Sequence, residues 1–410
     1  MPIRATSYIA RRLYFNQGAS GPSSEARPAV RVALWGMLIG IMVMVVTLCV
    51  VLGFKQTVAE KVAGFGAHIQ VVNYDNNNTY EMQPIVVSDS LVQKLSSLPN
   101  IASVQPFYTK PGIIKTDSAF QGIVVKGTQA LDFFRDNMVA GQLPKAANEA
   151  LISQEQARLL QLQVGDVLLC YFIDEKVRVR KMMISGIYRT GFGEFDELFV
   201  ITLPEMVRQL NGWSENECSG LELMVADFRQ LETTTDRVYF ATANRLDEHG
   251  NALYTHNLVQ LNPQIFAWLN LLDMNVIVII LLMLAVSGFS IISGLIILIL
   301  DSISLIGTLK ALGASNGFIR SIFVQQTCML VGRGLLWGNL IGLGLCALQY
   351  ISHIIPLDAT TYYVDYVPIA FPWMGIILLN VGVMLTSCLV LLAPSAIVAR
   401  ISPVDVMRFE

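Results

Sequence analysis

The sequence predicts a polytopic α-helical membrane protein with four TM helices and a large α+β extracytoplasmic domain inserted between the first and second. Three observations predict it. Only 14% of the 410 residues are charged and 53% are apolar, with a formal net charge of −3, whereas soluble domains run at about 25% charged. The deficit is concentrated: 32–54, 275–300 and 373–393 hold no charge over 23, 26 and 21 residues, and 323–351 holds only Arg333. At 1.5 Å rise per residue each stretch can cross about 30 Å of hydrocarbon. The remaining charge falls mostly in one block, 55–265, whose 211 residues carry 18 Lys and Arg against 24 Asp and Glu. That is chain enough for one or two packed domains. A soluble enzyme, a secreted disulfide scaffold and a nucleic-acid binder working through a basic surface are excluded.

In order, 1–31 is an N-terminal tail in which Tyr8, Ile9 and Leu13 are mixed with Arg11 and Arg12, the pattern of a short helix on a membrane surface. A Gly/Ser/Pro linker follows at 17–27. The first span, 32–54, is too long for a signal-peptide core and has no small-residue cleavage site after it, so it reads as an uncleaved anchor. Helical spacing continues through Val58 and Val62 to Gly64. Pro263 is a plausible helix start, and nothing from there to Leu300 breaks the second span, 266–300. Both connections to the inserted domain thus read as stiff helical stalks, which pass on movement that a flexible linker would absorb. The segment 301–322 is a short helix and loop, 323–351 the third span, 352–372 an exterior loop, 373–393 the fourth span, and 394–410 a C-terminal tail.

Basic residues set the orientation. Arg4, Arg11, Arg12, Arg27 and Arg31 precede the first span, Lys310 and Arg320 lie between the second and third, and Arg400 and Arg408 follow the fourth; 352–372 has neither Lys nor Arg. By the positive-inside rule both termini and 301–322 are cytoplasmic, and the 55–265 domain is outside.

Within that domain strand-like runs fall at 67–73, 101–108, 112–116, 123–127, 166–172, 177–187, 198–202 and 221–226, and helix-like runs at 88–98, 153–162, 204–211 and 227–242. A tight polar turn at 174–176 joins two of the strands. Asn77-Asn78-Thr79 matches a glycosylation sequon, as a chance match in an Asn-rich loop. Cys170 and Cys218 lie outside the membrane, where a disulfide between them is one of two open readings.

No catalytic constellation appears. The phosphate-binding G-x-x-x-x-G-K-[ST] loop, G-x-S-x-G and H-E-x-x-H are absent, the four histidines are scattered, and Gly191-Phe192-Gly193 reads as a turn. Catalytic, cofactor-binding and metal sites are therefore all expected to be none. The spans hold almost no ionisable groups, which disfavours a polar conduit; Arg333 reads as a snorkelling residue or a functional pair, and Asp273 as an interfacial or stalk residue. Gly334, Gly338 and Gly342 in the third span, and Ser290 and Gly294 in the second, are small residues at four-residue spacing, as in close helix packing within the chain or between two chains.

The most specific segment follows the second span. Ile303, Ile306, Leu309 and Leu312 recur every third residue, with Lys310 on the other side and Gly313 as a stop; Gly307, Ala311 and Ala314 belong to the same segment. This is a short amphipathic helix, suited to a membrane surface or to docking on a cytoplasmic partner.

Here the sequence resembles a known family. "LIGTLKALGAS" followed by "IRSIFVQQ" (305–326) is similar to the signature of FtsX-type ABC transporter permeases. "YIARRLYF" (8–15), "GF" (53–54), "GIYRTGFGEFDELFV" (186–200), the run entering the second span (266–300) and "PSAIVARISPVDVMRFE" (394–410) resemble their lipoprotein-releasing (LolC/LolE-like) branch. The resemblance implies a permease subunit, itself no enzyme, in a bacterial inner membrane. A partner ATPase seated on the 303–314 coupling helix would bind ATP-Mg, with no cofactor in this chain. Lipoproteins would be extracted from the outer leaflet by mechanotransmission. It implies as partners cytoplasmic ATPase subunits, a second copy or a related permease chain, a lipoprotein substrate and a periplasmic lipoprotein carrier. Two departures stand out: Asp301-Ser302 replaces the acidic-Arg pair that often opens the coupling segment, and only 174–176 joins the strands from which one subunit type extends a carrier-recruiting hook. Drug or peptide efflux of the macrolide-exporter type, and non-transporting regulation of cell-wall hydrolases, are the alternatives on the same fold.

Overall fold

The computed structural model describes residue 8 and residues 26–76, 80–116, 119–173, 177–243, 246–247 and 249–390. Apart from Tyr8, the expected surface helix near 5–15 lies outside these residues, as do most of the linker, the 77–79 sequon, the 174–176 turn and the 394–410 tail. The chain divides into two compact units. One comprises Met1–Lys55, Leu269–Ile355 and Val367–Glu410, the other Gln56–Trp268 and Pro356–Tyr366. The exterior block therefore takes in the middle of the loop between the third and fourth spans, which the sequence reading set apart.

Among the described residues four helices are long and apolar enough to cross a membrane: Arg31–Gly66, Pro263–Ile297, Asn316–Ser352 and Trp373–Val390, with mean hydropathies of 2.8, 2.8, 1.4 and 2.0. The first helix runs from Ala26 to Gly66 and the second from Pro263 to Asp301. The first helix starts earlier than its apolar run, and Pro28 falls in its first turn, where a missing N–H costs nothing. It also passes Gly64, the stop suggested by the sequence, by two residues. In the membrane unit, half of the most apolar stretch of the first span is buried inside the chain, against 17%, 28% and 17% for the second, third and fourth. The first span is the axis of this unit. Met37, Ile41, Met44 and Val45 form one core with Ile291 and Leu295 of the second span, Phe323 and Leu330 of the third, and Ile376 and Val383 of the fourth.

The exterior unit is built on twelve strands among the described residues: β1 (Ile69–Asn73), β2 (Ile85–Val86), β3 (Ile101–Lys115), β4 (Phe120–Gly127), β5 (Met138–Gly141), β6 (Glu149–Ser153), β7 (Val167–Ile173), β8 (Val177–Tyr188), β9 (Phe199–Thr202), β10 (Glu217–Cys218), β11 (Gly220–Val225) and β12 (Leu253–Asn257). The large sheet runs β12-β1-β11-β3-β4-β9-β6-β8-β5, and β7 joins β8 back to β3. The path β3-β4-β9-β6-β8-β7 thus closes on itself as a six-stranded ring, sealed by Ile113↔Tyr171 and Ile114↔Cys170. Closure removes the free edges such a sheet would otherwise expose. Along β7 the alternation turns Leu168, Cys170 and Phe172 inward, where they meet Ile114, Ile123, Met182 and Val200.

The two runs 101–108 and 112–116 are one strand. β3 pairs with β11 through its first half and with β4 through its second. Pro106 and Pro111 each lie where only one of these two neighbours is present, so a proline is tolerated as on an edge strand. The sequence reading lacked β5, β6, β12 and the β2–β10 pair. Strand β6 reads Glu-Ala-Leu-Ile-Ser with four consecutive buried residues, a run without alternation. Cys170 and Cys218 are both free and buried, so of the two open readings the structure has the unpaired one. Burial pushes each thiol up to about 12, which makes them core groups rather than reactive ones. Gly191-Phe192-Gly193 is a turn that leads directly into a short helix, Gly193–Leu198.

Candidate force-transmission elements

The segment singled out in the sequence forms a helix, Ile303–Ala311. It ends in a Schellman arrangement, with Gly313 at φ +87°, its N–H bonded to the Lys310 carbonyl at 3.0 Å and the Ala314 N–H to that of Leu309 at 2.9 Å. Ser315 immediately caps the third span helix, accepting from the Phe318 N–H at 3.3 Å. Two capped helix ends back to back leave a tight tip at 311–315.

The expected apolar stripe does not form one face. Ile306 and Gly307 are buried, Ile303, Leu309, Lys310 and Ala314 are half-buried, and Ala311, Leu312 and Gly313 are exposed, Leu312 by 79%. Three-residue spacing falls about 60° short of a full helical turn at each step, so the stripe winds round the helix. Ile306 and Leu309 join the membrane core beside Ile319 and Phe323, and Leu312 lies on the opposite side.

The small residues are used inside the chain. A Cβ added to Gly294 would lie 2.9 Å from the Ala33 Cβ, one on Gly338 would lie 2.8 Å from the Ile41 Cβ, and one on Gly342 would lie 3.3 Å from the Val45 Cβ. Gly334 would collide with Met37, and Ser290 stands over Gly36 in the same way. The second and third spans thus approach the first along stripes that lack side chains, and dispersion between close backbones holds them there.

At the membrane end of the stalks, Lys55 Nζ and Asp273 Oδ2 join the first two helices at 2.6 Å. In the exterior unit the first helix ends among rings: Phe65 lies 5.5 Å from Phe133, 5.6 Å from Phe134 and 5.1 Å from Phe195, centroid to centroid. Lys126 Nζ donates to the Phe65 carbonyl, and Gln70 Nε2 donates to that of Gly66 at 2.9 Å. A cation at a helix C-terminus is favoured by the helix dipole. Lys126 also meets Glu222 Oε1 at 2.6 Å, both side chains under 10% exposed. Past β12 comes a short helix, Leu258–Leu261, opened by a capping box of Asn257 and Gln260, and the second long helix starts after it at Pro263. β1 follows the first helix and β12 precedes the second, and Ile69 pairs directly with Asn257. Both helices are rooted at one antiparallel residue pair. Among the described residues no three His, Cys, Asp or Glu side chains gather as a metal site.

A family model described as a MacB-like periplasmic core domain matches residues 32–238, and one described as the FtsX-like permease C-terminal matches 277–403. The chain belongs to the FtsX-type permeases. The permease is 22% identical over 398 residues to the lipoprotein-releasing system transmembrane protein LolE of Haemophilus influenzae, covering 91% of this chain and 92% of that one. It is 20% identical over 402 residues to LolC of Neisseria meningitidis serogroup B, covering 92% and 94%. The macrolide export ATP-binding/permease protein MacB 1/2 of Paracoccus denitrificans is 24% identical over 75% of the permease but only 47% of that protein. Among solved structures, the periplasmic region of MacB from Actinobacillus actinomycetemcomitans aligns over 50% of the permease and 95% of that chain at 12% identity and a TM-score of 0.34. With its four candidate spans and both family models, the permease is a multi-pass membrane protein with an extracytoplasmic α+β domain.

Sequence reasoning missed one polar contact inside the permease's spans. Asn339 of the third span and Asn380 of the fourth exchange amide hydrogen bonds at 2.7 and 3.1 Å, and each also donates to a carbonyl four residues back on its own helix. The available signal was one Asn in each apolar run, passed over in a search for charge.

Proposed function

We propose that this permease is the membrane subunit of an ABC transporter that extracts lipoproteins from the outer leaflet of a bacterial inner membrane. A separate ATPase docks on the 303–314 segment, with Leu312 and Gly313 at the contact, and its ATP-driven closure moves that hairpin. The first two helices carry the movement to the exterior unit through their shared root at Ile69 and Asn257. The second and fourth spans, mostly unburied within the chain, face lipid, the acyl chains of the substrate and a second permease chain, either a copy or a relative. At about 0.8 kcal/mol per buried methylene, acyl anchors hold a protein in the bilayer by tens of kcal/mol, which is why extraction needs ATP.

The observation that carries this reading is the length of the likeness. The lipoprotein-releasing relatives are matched over 92% and 94% of their own length, whereas the macrolide exporter is matched over 47% of its length. The β7–β8 hairpin pairs as far as Ile173↔Val177, which leaves three residues between the strands. That is too few for an extended hook, and the proposal assigns this chain none.

The test is depletion of the protein followed by complementation with the wild type or with Leu312→Asp. On depletion, lipid-modified outer-membrane proteins should accumulate in the inner membrane. The wild type should clear them, and Leu312→Asp, at equal abundance, should not. Normal sorting after depletion would sink the lipoprotein reading; normal sorting with lost resistance to macrolides would favour efflux. Full rescue by Leu312→Asp would remove the docking assignment.

A further inference from the structure

The motif 186–200 is specific in sequence and has no part in the mechanism so far. It meets a segment distant in the chain. The loop between the third and fourth spans contributes Pro356–Tyr366 to the exterior unit, folded on itself by the Pro356↔Tyr366 bridge and by the Leu357 N–H donating to the Asp365 carbonyl at 2.9 Å. From this loop Asp365 Oδ1 accepts from Arg189 Nη2 at 2.8 Å. The Tyr363 ring stacks on Phe192 at 4.7 Å between centroids, with Trp268 edge-on at 6.1 Å. Lys61, in the first long helix, donates from Nζ to the Tyr363 carbonyl at 3.1 Å and to that of Thr190.

The receiving turn is shaped for this. Gly191 has φ +71°, and a Cβ there would lie 2.9 Å from Asp365 Oδ2 and 3.2 Å from Lys61 Nζ. A side chain at that position would push aside the Asp365 carboxylate and the Lys61 ammonium, the two groups that hold the loop. Asp196, 3% exposed, holds the turn by accepting from the Thr190 hydroxyl at 2.7 Å and from the Thr190 and Gly191 N–H groups at 3.2 and 3.1 Å. Tyr363 itself sits at φ +61°, a conformation costly for a tyrosine unless its surroundings impose it.

We propose that Arg189, Phe192 and Lys61 are positioning residues that form a receptor for the 356–366 loop, so that movement of the exterior unit reaches the third and fourth spans through Tyr363 and Asp365. The first two spans enter the exterior unit as continuous helices; the last two are tied to it by this seat. The inference rests on the transport reading for its consequence but not for its geometry. The Arg189–Asp365 pair is 54% and 42% exposed and is weak alone, so the seat depends on the ring stack as well.

The experiment uses the complete transporter with Arg189→Asp, Asp365→Arg, the double reversal and, as a variant that leaves the charges alone, Tyr363→Ala. The readouts are protease nicking within 356–366, ATP hydrolysis and substrate release. Each single change should speed nicking by about fivefold and lower release while ATP hydrolysis persists, and the double reversal should restore both. Unchanged nicking in both Arg189→Asp and Tyr363→Ala, or a freed loop with normal release, overturns the proposal. Should a single reversal fail to fold, Tyr363→Ala and the double reversal still decide. The nicking arm does not depend on the cargo, so a wrong substrate assignment leaves it intact.

Discussion

The exterior unit is held together by side chains that are present, and the membrane unit by side chains that are missing. Outside, a buried Lys126–Glu222 pair, a box of rings round Phe65 and capped helices fix the ends of the stalks. Inside, Gly294, Gly334, Gly338 and Gly342 let two helices lie against the first with little between them. The difference follows from the solvent. Water makes burial of a large ring favourable, whereas lipid gives apolar side chains no such drive, leaving close backbone packing as the source of cohesion. An exterior site should therefore fail when a group is removed, and a membrane site when one is added.

The largest expected effect lies in the exterior unit. Lys126→Met leaves Glu222 charged and buried without its partner, at a cost of about 3–5 kcal/mol. Hydrogen exchange in the full chain should show lost protection in β4 and β11, and Lys126→Met/Glu222→Leu should recover most of it. Failure of the double variant to recover would mean that the charge itself, rather than its pairing, fixes the stalk end.

The next concerns pH. His68 is 9% exposed and accepts from the Val225 N–H at 3.2 Å through Nδ1, and burial lowers its pKa to about 4 from 6.5. The unfolded chain thus takes up the proton first. The stability owed to neutral His68 is complete above pH 6.5 and drains away as pH falls toward 4, by about 3 kcal/mol in all. In His68→Gln the difference in unfolding free energy between pH 7 and pH 4 should shrink by that amount. An unchanged pH dependence would mean that other groups carry it.

The smallest is the membrane counterpart. Gly338→Val adds atoms where a Cβ already lies 2.8 Å from the Ile41 Cβ, and overpacking of this kind costs about 1–3 kcal/mol. The thermal midpoint in detergent should fall, while Gly344→Val, at a position with open space around it, should leave it unchanged. Equal effects would collapse the contrast between the units.

What the sequence disclosed follows the same division. Spans, stalks and the Gly313 stop were legible because charge depletion and turn chemistry are local. Strands β7 and β8 were legible because one face is buried. β6 was not, since both its faces are buried and periodicity vanishes, and β3 was split because a proline reads locally as a break. The apolar stripe at 303–312 was misjudged as one face because its three-residue spacing winds round the helix. The small residues were visible but not their partner, the first span. Arg189 and Asp365 are 176 positions apart, beyond what one sequence can pair.

The pairing of Ile69 with Asn257 has a consequence for how such a protein can change over time. Cross-strand neighbours sit about 5 Å apart, so the exterior domain begins and ends at almost one point. It can be enlarged, trimmed or exchanged there without moving either membrane helix, provided that the replacement also begins and ends on neighbouring strands and keeps a seat for the 356–366 loop. A transporter made this way can keep its engine and acquire a different grip.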